Sequence, residues 1–416
     1  LIHTRTAADP GTASGLLSVD DLRAAQAVLG DVVRRTPLEE CRQLAAKVAG
    51  PAYLKCENLQ RAGSFKIRGA YVRIARLAPE ERARGVVAAS AGNHAQGVAL
   101  AAQLLGCQAR VFMPIGVALP KLAATKGYGA AVELAGSTVD EALAEARAYA
   151  ERTGAVFIHP FDHRDVVAGQ GTVGLELAEQ CPQARTVLVC TGGGGLLAGI
   201  AVAVRALLPQ ARVYGVQAAG AAAYPGSLRA GHPVSLTSMS TIADGIAVGR
   251  PGDVPFAHVA ALVDDVLTVP DEHISRALLF CLERAKLVVE PAGATALAAV
   301  LSDPGRFIPP VVVILSGGNI DPLLLNRVIE HGLAAAGRYV RFVVRTEDRP
   351  GSLARLLSLI AELGGNVLDV EHIRHDPRLG LGEVEMALSM ETRGDEHSNA
   401  LLTALRSAGY RVSVHT

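Results

Sequence analysis

A change of rhythm constrains this chain more than any single residue. From Val19 to about Leu324, short β-branched runs alternate with Ala/Leu-rich helical stretches. That pattern predicts βα units around a mostly parallel sheet. The strand runs include VVAAS at 86–90, ARVFMP at 109–114, TVLVC at 186–190 and VVVILS at 311–316. Each gives way to Gly, Ser, Pro or Thr and then to a helix-like segment, so the loops lie at the carboxyl ends of strands, where open α/β sheets bind ligands. After about Gly337 the order becomes a strand (Tyr339–Arg345), the turn EDRPG, a helix (Ser352–Leu363), two strands across a Gly-rich turn, a helix and the strand YRVSV. This β-α-β-β-α-β order is ferredoxin-like. The expected domains are 16–334, with a smaller subdomain at roughly 55–160 inserted in it, and 338–416. The boundary falls near 334–338, where HGLAAAGR can also finish a helix.

The 416 residues carry 40 Lys plus Arg against 40 Asp plus Glu. No global field therefore favours nucleic acid or an anionic membrane, and a small-molecule partner is expected. Cys41, Cys56, Cys107, Cys181, Cys190 and Cys281 are scattered singly with no C-x-x-C pair, which argues against a zinc ribbon or a disulfide framework. No apolar run reaches transmembrane length and the first fifteen residues lack the core of a secretory signal, so a cytoplasmic location is expected and those residues are expected to fray.

Four segments carry the chemistry. In NLQRAGSFKIRGA, Lys66 sits between Phe65 and Ile67. Apolar neighbours lower an amine's pKa and free it for Schiff-base formation, although an ordinary surface lysine fits this segment equally well. SAGNHAQGVALAA begins at Ser90 with a turn into a helix. Its backbone N–H groups across Ala91, Gly92, Asn93 and His94, with the Ser90 hydroxyl, can hold a substrate carboxylate, and the Asn93 amide can reach a ring oxygen. The alternative is a plain helix cap, and the His94 side chain is expected to be a packed histidine rather than an acid or base. In CTGGGGLLAGIAVAV a strand runs into Gly192, Gly193, Gly194 and Gly195 and then an apolar helix. This reads as a phosphate cup against the alternative of a tight structural turn, and it is not the G-x-G-x-x-G dinucleotide fingerprint. In VVVILSGGNID the strand ends at Ser316, Gly317, Gly318 and Asn319. A hydroxyl there can bond a pyridine nitrogen without a carboxylate's charge, which leaves the ring a weaker electron sink suited to prompt β-elimination.

In this order, the segments resemble the threonine ammonia-lyase (threonine dehydratase) family of fold-type II pyridoxal-phosphate enzymes, from Leu16 to Leu325. The resemblance implies a tryptophan synthase β-like, two-subdomain α/β catalytic unit. It implies that Lys66 forms the Schiff base with pyridoxal 5'-phosphate, that Phe65 packs near the ring and that Asn93 bonds the ring hydroxyl. Gly192–Gly195 would hold the phosphate, and Ser316, followed by Gly317, would face the pyridine nitrogen. Gly245 in ADGIAV and Glu290 in VVEPAGATA match pocket segments. Lys66 would remove the α-proton, the β-hydroxyl would leave, and hydrolysis would give a 2-oxo acid and ammonia. Related serine racemases carry a second serine where this chain has Ala91, so racemisation is expected to be slow. Relatives that bind a divalent cation use acids where this chain has Gln217 and Ala223, so no metal is expected.

The segment VVRTEDRPGSLARLLSLIAELGGNVLDVEHIRHD resembles an ACT domain, a module that binds amino acids at paired interfaces. Asp348, Pro350 and Gly351 lead into a helix whose free N–H groups can hold a carboxylate, with Asn366 as a second contact. Dimerisation alone is the alternative, and an exposed sheet edge favours a homodimer or homotetramer. His159 and His163 have metal-like spacing, but Pro160 breaks a helix across them. His372 and His375 are expected on opposite faces of one strand. The expected activity is L-threonine to 2-oxobutanoate and ammonia, with L-serine to pyruvate. Rival readings are a serine or 3-hydroxy-amino-acid dehydratase or racemase of the same fold, a nucleotide-dependent oxidoreductase and a silent amino-acid sensor. Isoleucine synthesis and threonine breakdown are both open roles.

Overall fold

The computed structural model describes residues 15–335, 337–375 and 379–414, so the expected frayed start lies outside the described residues except for Gly15. The chain divides into two compact units, up to Pro322 and from Leu323 onward. The second unit takes in nearly all of the helix Pro322–Ala335, which the sequence reading places ahead of the boundary. Arg327 and His331 on that helix line a depression with Tyr339, Arg341 and Asp395, so its contacts are with the tail.

The first unit holds two sheets. The larger follows the order β1 (Leu38–Glu40), β2 (Ala52–Lys55), β10 (Val311–Ile314), β7 (Thr186–Cys190), β8 (Arg212–Ala218) and β9 (Asp265–Val269), and only the β1–β2 pair is antiparallel. Residues of β7 and β10 are buried throughout, as strands covered on both faces must be, and their continuous apolar runs reflect this. The smaller sheet, β5 (Ala131–Leu134), β4 (Ala109–Met113), β3 (Val86–Ala89) and β6 (Val156–Phe157), is parallel throughout.

Glycines bring the connecting helices to backbone contact. A Cβ on Gly169, in the helix Arg164–Gln180, would fall 2.6 Å from Gly69 Cα in the helix Lys66–Ala75. A Cβ on Gly199, in the helix Gly195–Leu207, would fall 2.5 Å from Gly171 N. These crossings fix where Lys66 begins its helix relative to the glycine loop after β7. The main core gathers around them, with Val167, Val187, Leu197 and Ile314 all sealed from solvent.

The second unit has four antiparallel strands, β12 (Asn366–Ile373), β13 (Glu383–Glu391), β11 (Tyr339–Glu347) and β14 (Arg411–Val414), in that order. With the helices Ser352–Glu362 and Asp395–Ser407 they complete the expected β-α-β-β-α-β. Phe342, Leu356, Ile360, Leu388 and Leu405 form its core. β12 stops at Ile373, so His375 lies beyond the strand and the expected opposed pair does not form. Among the described residues no helix is long and apolar enough to cross a membrane.

Candidate active site

The strand ends and helix starts of the first unit converge on one cavity. It is lined by Phe65 and Lys66, by Asn93, by Gly192 to Gly195, by Gly245 and Glu290, and by Ser316, which are brought together from separate segments of the sequence. Lys66 opens the helix Lys66–Ala75, and its Nζ donates to the Pro160 carbonyl at 3.0 Å. The surrounding protein brings the amine's pKa down to about 8 by desolvation, against a smaller opposing pull from Glu290. The Phe65 ring centroid lies 5.2 Å from Nζ.

Glu290 caps the start of the helix Pro291–Ser302 and is buried. Its Oε1 accepts from Asn93 Nδ2 at 2.5 Å, and Asn93 Oδ1 in turn accepts from Asn319 Nδ2 at 2.8 Å. Burial first, then the Asp244 carboxylate, pushes Glu290 up to about 7. Gly317 stays outside the lining but positions it: its carbonyl accepts the Glu290 N–H at 3.0 Å, and a Cβ on it would collide with Glu290 Oε1. Beside Ser316, the Cys190 thiol is pushed up to about 11 by burial and remains protonated.

The glycine loop is a cradle that side chains would fill. A Cβ on Gly193 would run into the Phe161 ring, and Gly194 holds a φ of 97° with the Tyr224 hydroxyl where its Cβ would lie. The helix Gly195–Leu207 starts there, so unpaired N–H groups and the positive helix end face the cavity. This donor set suits a phosphate, and with a free amine across the cavity the residues fit a phosphorylated aldehyde. They do not fit a divalent cation at Gln217 and Ala223. Gln217 Oε1 already accepts the Tyr224 N–H at 2.9 Å, and its buried Nε2, a donor, has no partner. Among the described residues no group of three or more His, Cys, Asp or Glu can hold a metal ion.

Other expected residues fall differently. Ser90, Ala91 and Gly92 lie in the turn after β3 and outside the lining, with the Gly92 N–H already donated to Ser90 Oγ at 3.1 Å. The His94 side chain is packed, as expected of it, rather than an acid or base: Nε2 is 2.8 Å from the Ile158 carbonyl, and burial brings its pKa to about 3. Its backbone N–H lies at the start of the helix Asn93–Leu104. The segment 159–163, read from the sequence for histidine spacing, contributes instead the Pro160 carbonyl and the Phe161 ring. His159 Nδ1 accepts the Phe161 and Asp162 N–H groups at 3.3 and 2.8 Å, which holds that turn. Asn319, named in the sequence only as the end of a strand segment, closes the amide chain on Asn93, and nothing short of three-dimensional proximity identifies it.

In the second unit Asp348, Pro350 and Gly351 form an exposed turn before the helix Ser352–Glu362. Asn366 pairs with Glu391, which pairs with Tyr339, so within one chain the whole of β11 separates it from the 348–351 turn, and a contact of both with one ligand would need a second chain. Its amide donates to Glu391 Oε2 at 3.2 Å.

The chain matches the family model "Pyridoxal-phosphate dependent enzyme" over residues 29–317 and the ACT domain over 340–409. It is 45% identical over 399 residues to an L-threonine ammonia-lyase of Thermotoga maritima, covering 96% of this chain and 100% of that one. Among solved structures it resembles the processed form of threonine deaminase isoform 2 from Solanum lycopersicum (37% identity, TM-score 0.72, 76% of this chain and 95% of that one). It also resembles maize serine racemase (38% identity, TM-score 0.71, 76% and 98%).

Proposed function

The chain belongs to the pyridoxal-phosphate-dependent enzyme family, and within it to the threonine ammonia-lyases that carry an ACT domain, and from this premise we propose that it converts L-threonine to 2-oxobutanoate and ammonia, and L-serine to pyruvate. The observation that carries the reading is the partly neutral Lys66 amine across the cavity from the four-glycine cradle. Bound there, pyridoxal phosphate supplies a conjugated aldehyde able to accept the electron pair of the substrate's α-carbon.

The chain's own residues do the rest. Gly192 to Gly195 and the helix behind them would hold the phosphate, and Ser316 would face the ring nitrogen without fixing a charge on it. Asn93, braced between Glu290 and Asn319, would hold the ring hydroxyl. Backbone N–H groups at the start of the helix Asn93–Leu104 hold the α-carboxylate. Lys66, oriented by the Pro160 carbonyl, takes the α-proton at Nζ, for which a pKa near 8 is well matched at neutral pH. Phe65 and Phe161 keep water from the reacting face. Ala91 offers no hydroxyl to return a proton from the other side, which favours elimination over racemisation.

The second unit is proposed to bind an amino-acid effector at the 348–351 turn and to pair chains into a homodimer or homotetramer, with the enzyme acting in the cytoplasm. The deciding experiment mixes purified protein, pyridoxal phosphate and L-threonine, then measures 2-oxobutanoate together with the chirality of recovered substrate. 2-Oxobutanoate from L-threonine, faster than pyruvate from L-serine, supports the reading. Bound cofactor with no keto acid and a racemised substrate sinks it.

A further inference from the structure

A cation that the mechanism above does not use stands beside two residues, Gly92 and Asp244, each next in sequence to one that lines the cavity. Lys121 lies in the helix Leu119–Gly127, which follows β4 of the smaller sheet. Its Nζ is 2.6 Å from Asp244 Oδ2. Asp244 starts a short helical turn whose next residue, Gly245, lines the cavity. The lysine side chain is mostly covered at 13% accessible, whereas its partner carboxylate is half exposed at 51%.

The ammonium also stands over the turn that leads into the helix Asn93–Leu104. A Cβ on Gly92 would lie 3.6 Å from Lys121 Nζ. In that turn the Gly92 N–H is already spent on Ser90 Oγ, so the turn has one donor fewer for an incoming anion. The full charge of Lys121 is then the strongest anion-seeking group on that wall. Both ends of the ion pair are felt inside the cavity: at Glu290, Lys121 favours the carboxylate and Asp244 favours the acid.

Resting on the reading of the site as an amino-acid lyase, we propose that Lys121 is a substrate-positioning residue whose ammonium leaves Asp244 to pair with the α-carboxylate of the incoming amino acid. The site is thereby restricted to amino acids whose α-carboxylate is free. Asp244 keeps the cation in place until the substrate replaces it. A simple clasp between the two sheets would use the same pair, and the two roles give opposite results for its two members.

Steady-state deamination of L-threonine by the holoenzyme separates them. Lys121→Gln, similar in length and uncharged, should raise KM roughly tenfold while kcat moves less than about threefold. Lys121→Arg should recover most of the loss. Asp244→Asn should lower KM about twofold, because the ammonium no longer has a competing anion. Equal losses from Lys121→Gln and Asp244→Asn, or an unchanged KM in Lys121→Gln, would overturn the proposal. If the wild type holds cofactor but does not deaminate L-threonine, the reaction assignment fails separately. The same variants are then compared by the L-threonine concentration that half-shifts the cofactor absorbance, with the same expected order. A wild type whose absorbance does not respond to L-threonine would remove both readings.

Discussion

Lys66 and Arg68 are two residues apart at the start of one helix, and their surroundings are opposite. Arg68 is fully buried and every direction of its guanidinium is answered: by Glu57 at 2.8 and 2.9 Å, by Glu176 at 2.7 Å and by Thr172 at 3.1 Å. Lys55 joins the same cluster through Glu176 at 2.6 Å. Lys66 has only a neutral carbonyl at 3.0 Å and a cavity ahead of it. Both amino-acid types are cations in water at neutral pH. With carboxylates around it, one remains a cation and holds the fold, while the other is left short of partners and becomes a base.

The comparison is tested hardest by removing each cation. Lys66→Ala should cut turnover at least roughly a thousandfold and abolish the absorbance of bound cofactor, with no loss of thermal stability in the cofactor-free protein. Arg68→Met should do the reverse. It leaves buried Glu57 without its ion-pair partner and Glu176 with Lys55 alone, so the protein should lose about 3–5 kcal/mol in denaturant unfolding, while the protein that remains folded still binds cofactor. A catalytic loss without destabilisation in Arg68→Met would break the contrast.

Gly193→Ala sharpens it from the other side of the cavity. The new methyl meets the Phe161 ring, so cofactor affinity should fall about tenfold or more in a fluorescence titration, as expected when a charge-assisted contact to phosphate is displaced. The fold should be little changed.

A smaller effect concerns pH. Glu290 is pushed up to about 7 from an ordinary value of 4.5, so the folded state holds its proton more tightly than the unfolded chain does. Its contribution to stability is complete below about pH 4.5 and is lost as pH rises through 7. Lys66 runs the other way. Its pKa of about 8 against 10.5 disfavours folding below pH 8, and that cost is relieved between about 8 and 10.5. In melting curves of cofactor-free protein, Glu290→Gln should flatten the fall between pH 5 and 7, and Lys66→Ala should remove the rise above pH 8.

The smallest effect is expected at an exposed ion pair of the second unit. Glu347 and Arg349 form a 2.9 Å pair with side chains 67% and 71% accessible. Arg349→Ala should change stability by less than about 0.5 kcal/mol, as read from urea unfolding.

Much of the site was legible in the residues. Strand runs ending in small residues placed the loops, the four glycines marked an anion cradle, and Lys66 stood out among apolar neighbours. Burial made the difference elsewhere. His94 and Asn93 are adjacent in one turn, yet one faces Ile158 and the other faces Glu290, and no spacing rule separates them. Asn366 was expected as a second contact across the sheet edge, and antiparallel register puts it at the other end of the sheet from the 348–351 turn of its own chain.

The sequence by itself determined the element types and the change from parallel to antiparallel architecture, because periodicity and turn chemistry are local. Tertiary structure alone decided which polar groups were left short of partners. Desolvation depends on what packs around a group from distant segments, as Pro160, Glu290 and Asn319 do here, and that surplus or deficit of partners is what turns a lysine into a base.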